Sequence, residues 1–257
     1  GSLGQFIFAP FAASLLSAFG WQNALFTLAA SALLMIIFAL PLMVQNTSKS
    51  ASAAGETNLT MSEAISQAFG ERSYVLLTAG FFVCGFQLAF ITVHLPPYLA
   101  EHGISKEMAG MAMGLIGLFN VAGSYLSGII GGRGEKRVPL SIIYLLRSVS
   151  VAAFIALPIT PVTALIFTAT MGFLWLSTVP LTMGLVTVMF GTRYMATLYG
   201  FVFLSHQIGS FLGVWLGGKL YDIYGNYDIV WWLGVALGVF AAIVHLPIVE
   251  KRAATFA

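Results

Sequence analysis

Residues 22–44 read QNALFTLAASALLMIIFALPLMV, a stretch without a single charged side chain. About 20 apolar residues in an α-helix are needed to cross the ~30 Å hydrocarbon core of a bilayer. In lipid the backbone must satisfy its own hydrogen bonds, so a run of this length forms a helix. The alternating strands of about ten residues that a membrane β-barrel needs are absent from the sequence. This stretch therefore predicts a transmembrane helix.

Further apolar runs of comparable length occupy most of the remaining chain. They are residues 1–19, 74–100, 108–131, 139–157, 162–190, 194–220 and 229–249. Most connectors between them are short and contain glycine, proline or charged residues, the composition of turns. We therefore predict an all-α fold, a polytopic membrane protein with about eight transmembrane helices.

The overall composition favours the same class of protein. Apolar residues make up 59% of the chain and charged residues 8%, whereas a soluble domain averages about 25% charged residues. The net charge of +2 is too small to indicate a nucleic-acid partner. Cys84 is the only cysteine, so no intrachain disulfide is possible. Its apolar surroundings indicate a small buried side chain.

Familiar catalytic and cofactor patterns are missing from the sequence. No glycine-rich phosphate loop follows a strand pattern, and no cluster of His and Cys has the spacing of metal ligands. No plausible Ser-His-Asp set lies within the helices. We therefore expect no enzymatic activity, no cofactor and no metal site.

Residues 45–72 form the only long polar stretch, rich in Ser, Ala and Thr. This stretch indicates a linker between a pair of helices in residues 1–44 and a six-helix bundle in residues 73–257. Within it, Thr60-Met-Ser-Glu63 has the spacing of a helix capping box. The helix that follows would carry its apolar side chains on one face and lie along the membrane surface. Those side chains are Met61, Ala64, Ile65, Ala68 and Phe69.

Basic residues are distributed unevenly between the two sides of the membrane. With the linker on one side, most Lys and Arg residues share that side, and only Lys106 and Lys219 lie opposite. The larger group is Lys49, Arg72, Arg133, Lys136, Arg137, Arg193, Lys251 and Arg252. Because basic loops stay in the cytoplasm, we expect the linker and the C-terminus to be cytoplasmic. The protein is then expected in the cell (inner) membrane.

Two helices, a cytoplasmic linker and six helices form a recognisable plan, and several motifs add to it. Gly1-Ser-Leu-Gly-Gln5 with Pro10, and GIIGGRGEKR at residues 128–137, are the first two. FVCGFQ at residues 82–87 and GFVFLSHQIG at residues 200–209 are the others. Together these features resemble the major facilitator superfamily, in which twelve helices form two six-helix halves joined by a cytoplasmic loop.

The resemblance implies that the chain corresponds to helices five to twelve, with the first four helices of the same protein missing. Residues 82–98 and 200–222 are similar to bacterial members near the monocarboxylate transporters and oxalate–formate exchangers. Gly132 stands where the family loop usually has Asp, which puts a gating charge in doubt. The eighth helix, residues 108–131, lacks the arginine with which those transporters pair their substrate, and this weakens the inference of a carboxylate substrate.

Polar residues within the apolar runs are candidates for a substrate site, because their burial in lipid is unfavourable. Gln87 and His94 are two helical turns apart and share one face of the seventh helix. On a cavity-lining face, both would bind substrate, and His94 would also be able to carry a proton. In the alternative, His94 lies at the outer interface, where its tip reaches water.

The eleventh helix carries a polar and aromatic row at helical spacing. The row consists of Tyr199, Phe203, His206 and Ser210. His206 lies roughly 18 Å into its helix at 1.5 Å per residue, near mid-membrane. A neutral imidazole there would accept a proton from one side and release it to the other. In the alternative, His206 is a packed residue, because small residues on the same helix permit close contact. They are Gly209, Gly213 and Gly217.

Arg147 is the one unambiguous charge within a predicted helix, the ninth, which in the resembling family is peripheral. Its guanidinium would pair with an anion, or it would bond helix carbonyls or extend toward the cytoplasm. Trp175 and Thr178 of the tenth helix and Asn120 of the eighth are further candidates for substrate binding. In the alternative for Thr178, its hydroxyl bonds a backbone carbonyl of its own helix, as hydroxyls in membrane helices commonly do.

Two residues near helix ends are expected at the membrane interface. Trp231 begins the last apolar run and has the character of an interfacial anchor. His245 lies near the cytoplasmic end of the same run, where its ring would reach the interface.

These patterns favour a secondary active transporter that moves a small organic anion, monocarboxylate-like, by alternating access. Coupling to protons through His206 or His94 would avoid moving net charge through a low-dielectric site. Its partners would be the small-molecule substrate, protons, the lipid bilayer and the missing N-terminal helices. The alternatives left open are a transporter of a different small metabolite or drug, and a non-functional fragment of such a transporter. A channel or receptor would need a continuous polar pore or a sizeable extramembrane domain, and the sequence shows neither.

Overall fold

The computed structural model describes residues 2–43 and 59–256, which fall in two compact units divided at residue 56. The described residues of the first unit form one helix, α1 (Ser2–Met43), with a kink at Gly20. The φ of 74° and ψ of 169° at Gly20 are not helical, and glycine adopts a positive φ more readily than any other residue. The kink therefore coincides with the predicted boundary between the first two apolar runs. The predicted linker up to residue 58 lies outside the described residues.

The described residues of the second unit form eight further α-helices. They are α2 (Met61–Gly70), α3 (Arg72–Glu101), α4 (Lys106–Arg133), α5 (Arg137–Ala156), α6 (Pro161–Leu174), α7 (Thr178–Phe190), α8 (Met195–Tyr224) and α9 (Asp228–His245). A 3₁₀ turn at Ala254–Phe256 ends the described chain. No strand occurs within residues 2–43 and 59–256. The predicted all-α, polytopic membrane fold is confirmed.

Seven helical spans in the described residues are long and apolar enough to cross a membrane, where the sequence predicts about eight. The first of them is Ala18–Ile36. Residues 2–17 ahead of it rise only about 24 Å at 1.5 Å per residue, short of the ~30 Å hydrocarbon core. The helices α6 and α7 together make up one span, Pro161–Phe190, which is interrupted between them.

Helices α3 and α8 pack closely because glycines of α8 lie against the backbone of α3. A Cβ on Gly209 would overlap the carbonyl of Phe82, and a Cβ on Gly213 would overlap the carbonyl of Phe86. Small residues of this kind let two membrane helices approach to backbone contact. The close helix contact predicted for this row of glycines is confirmed.

The predicted capping box begins helix α2. The Thr60 backbone N–H and hydroxyl donate to Glu63 at 2.8 and 2.7 Å, and Glu63 N–H donates back to the Thr60 hydroxyl at 3.3 Å. The hydrogen bonds from the backbone and side chain of Thr60 lower the pKa of the Glu63 carboxyl. A lowered pKa means that the carboxylate stabilises this helix end at neutral pH, and that the contribution is lost as pH falls through the lowered pKa.

The apolar face predicted for α2 is divided in the structure. Ala64 and Ala68 are buried, whereas Met61 and Phe69 are exposed. The surface orientation predicted for this helix stays a prediction.

The two expectations for the last helix are wrong. Trp231 is buried, with its ring packed edge-on against Phe90 at 4.8 Å between ring centroids. His245 is also buried, and it stacks on Tyr144 at 4.9 Å with an angle of 17° between the rings. A Cβ on Gly80 would overlap the His245 ring, so this glycine makes the space that the imidazole fills. Neighbouring helices, rather than distance from the helix end, determine how deeply these rings are buried.

The segment after α9, which we call the C-terminal strap (residues 246–256), joins the linker-side ends of several helices. Glu250 accepts hydrogen bonds from the N–H groups of Lys136 and Arg137 at 2.6 Å each, at the start of α5. The N–H of Ala253 donates to the carbonyl of Met189 near the end of α7, at 2.9 Å. Because a carboxylate at a helix N-terminus satisfies free N–H groups and matches the helix dipole, Glu250 anchors the strap to α5.

We expect Glu250→Ala to destabilise the complete protein by about 2 kcal/mol, because two hydrogen bonds to a charged acceptor are lost. Thermal unfolding in detergent measures this change. The matched control is Glu135→Ala, since Glu135 forms an exposed ion pair with Arg137 at 3.2 Å, and its loss should cost less than about 1 kcal/mol. Equal shifts for the two variants would contradict the anchoring role.

Candidate functional site

The candidate site is built around a break in the membrane span that contains α6 and α7. The first of these helices ends at Leu174 and the second begins at Thr178. Pro180 explains the break, because a proline cannot donate to the carbonyl four residues earlier, that of Leu176, and its ring clashes with that carbonyl. The residue before it, Val179, is also restricted. The break leaves backbone carbonyls and N–H groups without partners within their own helix.

Arg147 of α5 bonds the carbonyls that the break releases. Its Nε and Nη2 donate to the Leu174 carbonyl at 3.2 and 2.6 Å, and Nη2 also donates to the Trp175 carbonyl. These carbonyls lie at the negative end of the α6 dipole, where a cation is stabilised. Of the alternatives for Arg147, the structure shows the one in which its guanidinium bonds helix carbonyls.

Helix α4 holds the opposite side of the break. Asn120 Oδ1 accepts a hydrogen bond from the Leu176 N–H at 3.0 Å, and the Ser127 hydroxyl donates to the carbonyl of Ser177. A Cβ on Gly123 would overlap the carbonyl of Phe173, so this glycine allows α4 to approach α6. The break is therefore satisfied by side chains from α4 and α5 together.

The charge of Arg147 is buried, and no carboxylate among the described residues pairs with it. Its side chain has 0% of its surface exposed, and the single ion pair in the part of the chain that the structure describes is Arg137–Glu135. The other neighbours of Arg147 are the Tyr144 ring, 5.4 Å from the guanidinium carbon, and Cys84 Sγ, 3.4 Å from Nη1. A positive charge held near the middle of a membrane span raises the local potential and attracts an anion.

Cys84 links the buried arginine to the row on α8. Its sulfur is 3.4 Å from the Thr178 hydroxyl and 3.4 Å from Arg147 Nη1, and it also interacts with His206. The cysteine is buried as the sequence indicated. Its contacts with Arg147 and Thr178 were missed, because the three residues lie on three different helices and nothing in their spacing brings them together.

His206 is half-buried within the predicted row of polar and aromatic residues. Its ring stacks on Phe203 at 5.2 Å and lies 5.1 Å from the Phe81 ring. Its Nδ1 is 3.1 Å from Gln207 Oε1 and 3.5 Å from the Ser210 hydroxyl. A half-exposed imidazole with polar neighbours is able to exchange a proton and to donate to a ligand. The row continues through Tyr199, whose ring is 6.2 Å from that of Phe203.

Gln87 and His94 lie apart from this cluster. Gln87 is buried, and its Nε2 donates to the Gly234 carbonyl of α9 at 2.9 Å. His94 is 8% exposed, with Nε2 3.0 Å from the Val214 carbonyl of α8. The structure thus brings together Arg147, Trp175, Thr178, Asn120, His206 and Tyr199 of the predicted set. It places Gln87 and His94 at separate helix contacts, and the roles of all eight stay predictions.

We expect Arg147→Ala to destabilise the protein by about 2–5 kcal/mol, because two buried carbonyls lose their donors and a cavity is left. Arg147→Lys should be intermediate, since an ammonium reaches both carbonyls less well than a planar guanidinium. The control is Arg133→Ala, at an exposed residue, with a change within about 0.5 kcal/mol. Chemical unfolding in detergent gives these values, and an Arg147→Ala variant as stable as the control would refute the assignment.

Replacing Asn120 tests the other side of the break. Asn120→Ala leaves the Leu176 N–H without its acceptor and should cost about 1–3 kcal/mol. Ser124→Ala is the matched control, because Ser124 donates to Asn120 at 3.0 Å and its loss leaves the bond to Leu176 in place. Amide hydrogen exchange at residues 174–178 should quicken in the first variant and not in the second; similar exchange in both would exclude this capping role.

Comparisons with known proteins identify the family of the chain. A family model described as Major Facilitator Superfamily matches residues 1–214. YcxA of Bacillus subtilis, an uncharacterized MFS-type transporter, is 30% identical over 186 residues, which cover 70% of this chain and 45% of that protein. An uncharacterized protein of Archaeoglobus fulgidus is 30% identical over 144 residues, 54% of this chain and 64% of that protein. The chain thus spans about half the length of the first relative. It belongs to the major facilitator superfamily.

Proposed function

We propose that the complete protein is a secondary active transporter that moves a small organic anion, monocarboxylate-like, across the membrane. Membership of the superfamily supports transport by alternating access of two helix bundles around a central site. One observation carries the choice of substrate: Arg147 is buried in the interior of the second unit, and no described carboxylate forms an ion pair with it.

Arg147 acts on the anion through its field rather than by direct contact. Its surface is fully covered, and its donors already bond Leu174 and Trp175. The half-exposed side of the same cluster is formed by His206 and Tyr199 of α8. An anion bound there would accept hydrogen bonds from the imidazole and the phenol while the buried guanidinium lowers its electrostatic energy.

Proton coupling through His206 follows from the same geometry. A protonated imidazole beside an anion forms a charge-assisted hydrogen bond, and a proton and a monoanion crossing together carry no net charge. An anion bound between Arg147 and a protonated His206 would attract both positive charges. Binding of the proton and of the anion are therefore mutually favourable. His94 remains a second candidate for the proton carrier.

A transporter of a different small metabolite or drug is the second candidate function. The observation that favours it is the aromatic surface beside His206, which Phe203 and Tyr199 provide. Aromatic rings bind apolar and aromatic ligands well. A substrate with an apolar body and one anionic group would satisfy both features of the cluster.

The bias of basic residues supports an orientation with the linker and the C-terminus in the cytoplasm. In a bacterial or archaeal cell the protein would then lie in the cytoplasmic membrane, the inner membrane where there are two. The substrate, protons and lipid are its expected partners, together with the helices of the first bundle.

The test is uptake of labelled monocarboxylates by the complete protein reconstituted in vesicles with an imposed pH gradient. His206→Gln should reduce pH-driven uptake at least about tenfold, because the glutamine amide does not carry a proton. Arg147→Lys should retain more uptake than Arg147→Met, because it keeps the positive charge. Dicarboxylates and sugars complete the substrate panel.

The control for His206 is His102→Gln, since His102 lies in the turn after α3 and its Nδ1 donates to the Tyr98 carbonyl at 2.8 Å. This variant should transport as the unsubstituted protein does. Unchanged pH-dependent uptake in both His206→Gln and Arg147→Met would exclude the site assignment. Ion currents far above carrier rates in planar bilayers would indicate a channel instead.

A further inference from the structure

A groove with a volume of about 570 Å³ runs along the outer surface of the bundle between α4, α5 and α6. Small side chains make it concave, namely Ser150 and Ala153 on α5 and Ala169 on α6. Larger side chains form its edges, and Val149 and Ile166 are more than half exposed there. The groove is thus a depression in a surface that belongs to membrane-spanning helices.

The groove extends over the depth of one lipid leaflet. Its residues run from Leu146 to Leu157 on α5 and from Leu174 to Thr163 on α6. Each interval rises about 16 Å at 1.5 Å per residue, roughly half of the ~30 Å hydrocarbon core. The ends of the two intervals near mid-membrane, Leu146 and Leu174, lie at the same depth, because Arg147 bonds the Leu174 carbonyl. The outer ends meet at the turn between α5 and α6, on the side of the membrane opposite residues 59–72.

The walls of the groove suit a hydrocarbon chain and no polar ligand. Two of its hydroxyls already bond the backbone: Thr170 donates to the Ile166 carbonyl at 2.8 Å and Thr163 to the Pro158 carbonyl at 2.9 Å. The Phe154 and Phe167 rings stack at 4.1 Å between centroids with an angle of 9°, and they form a flat apolar floor. No charged residue lines the groove.

We propose that this groove binds one acyl chain of a phospholipid from the leaflet opposite the linker. Acyl chains in a bilayer run along the membrane normal, as the groove does, and each extends over about one leaflet, the length of the groove. They are also apolar, as the walls of the groove are. The end of the bound chain lies beside Phe173 and Leu174, at the break in the span.

Photo-crosslinking in vesicles tests the proposal directly. The complete protein is reconstituted with a phosphatidylcholine that carries a photoreactive group at the end of one chain. Illumination should give adducts at residues 146–150 and 170–174, where the end of the chain is expected. Ala153→Phe fills the groove and should reduce these adducts to background, whereas Ala156→Phe, on the same helix outside the groove, should not.

Two further measurements keep the outcome decisive if Ala153→Phe folds poorly. Ala169→Phe fills the groove from the α6 wall and should cause the same loss of adducts. In delipidated detergent samples, added phosphatidylcholine should raise the unfolding temperature of the unsubstituted protein and of Ala156→Phe more than that of Ala169→Phe.

Three outcomes would overturn the proposal. Adducts of equal yield in the groove-filling variants and the control would show ordinary lipid contact over the whole surface. An absence of adducts in residues 146–174 would show that another part of the protein covers the groove. Efficient labelling by a photoreactive free fatty acid that added phosphatidylcholine does not displace would identify a different ligand.

Discussion

The hydrogen bonds from Arg147 to the carbonyls of Leu174 and Trp175 are the interaction on which the second unit depends. A helix that breaks inside a membrane exposes backbone groups that lipid cannot satisfy. The guanidinium supplies several donors in a fixed plane, so one side chain reaches two adjacent carbonyls. Asn120 supplies the acceptor that the N–H of Leu176 needs. Pro180 interrupts the span, and the break is stable in lipid because two neighbouring helices complete its hydrogen bonding.

This arrangement also explains how a buried charge is tolerated without a carboxylate. Dehydrating an ion is costly, and the carbonyl dipoles at the end of α6 offset part of that cost. The Tyr144 ring and the Cys84 sulfur contribute further electron-rich surface. None of these partners is a carboxylate. Dipoles and polarisable groups, rather than an ion pair, therefore surround the guanidinium.

Much of the fold was predictable, because membrane helices are determined by composition over long windows. The all-α architecture, the capping box at Thr60 and the close packing along Gly209 and Gly213 follow from local rules that lipid makes strict. The division of residues 162–190 into two helices was not predicted, although Pro180 lies within that run. A proline alone is an ambiguous signal, since Pro96 and Pro97 lie within α3 and that helix continues past them.

At Pro180, unlike at Pro96 and Pro97, side chains satisfy the backbone groups that a helix break releases. These side chains come from residues distant in the sequence. The candidate site was likewise predictable where it lies on one helix, and not where it depends on contacts between helices. The row of Tyr199 and His206 shares one helix and could be found from spacing, whereas the link through Cys84 depends on contacts among α3, α5 and α7. The burial of His245 and Trp231 was missed for the same reason, as it depends on the helices packed around them.

The break divides one membrane span into two short helices with different attachments. Phe167 of α6 stacks on Phe154 of α5, whereas Met189 and Phe190 of α7 contact the C-terminal strap through Ala253 and Phe256. Each half is therefore attached to a different neighbour, and side chains of Arg147, Asn120 and Ser127 bond the backbone between them. The residue that places a positive charge in the interior is thus also the residue that bonds the end of α6 at the break.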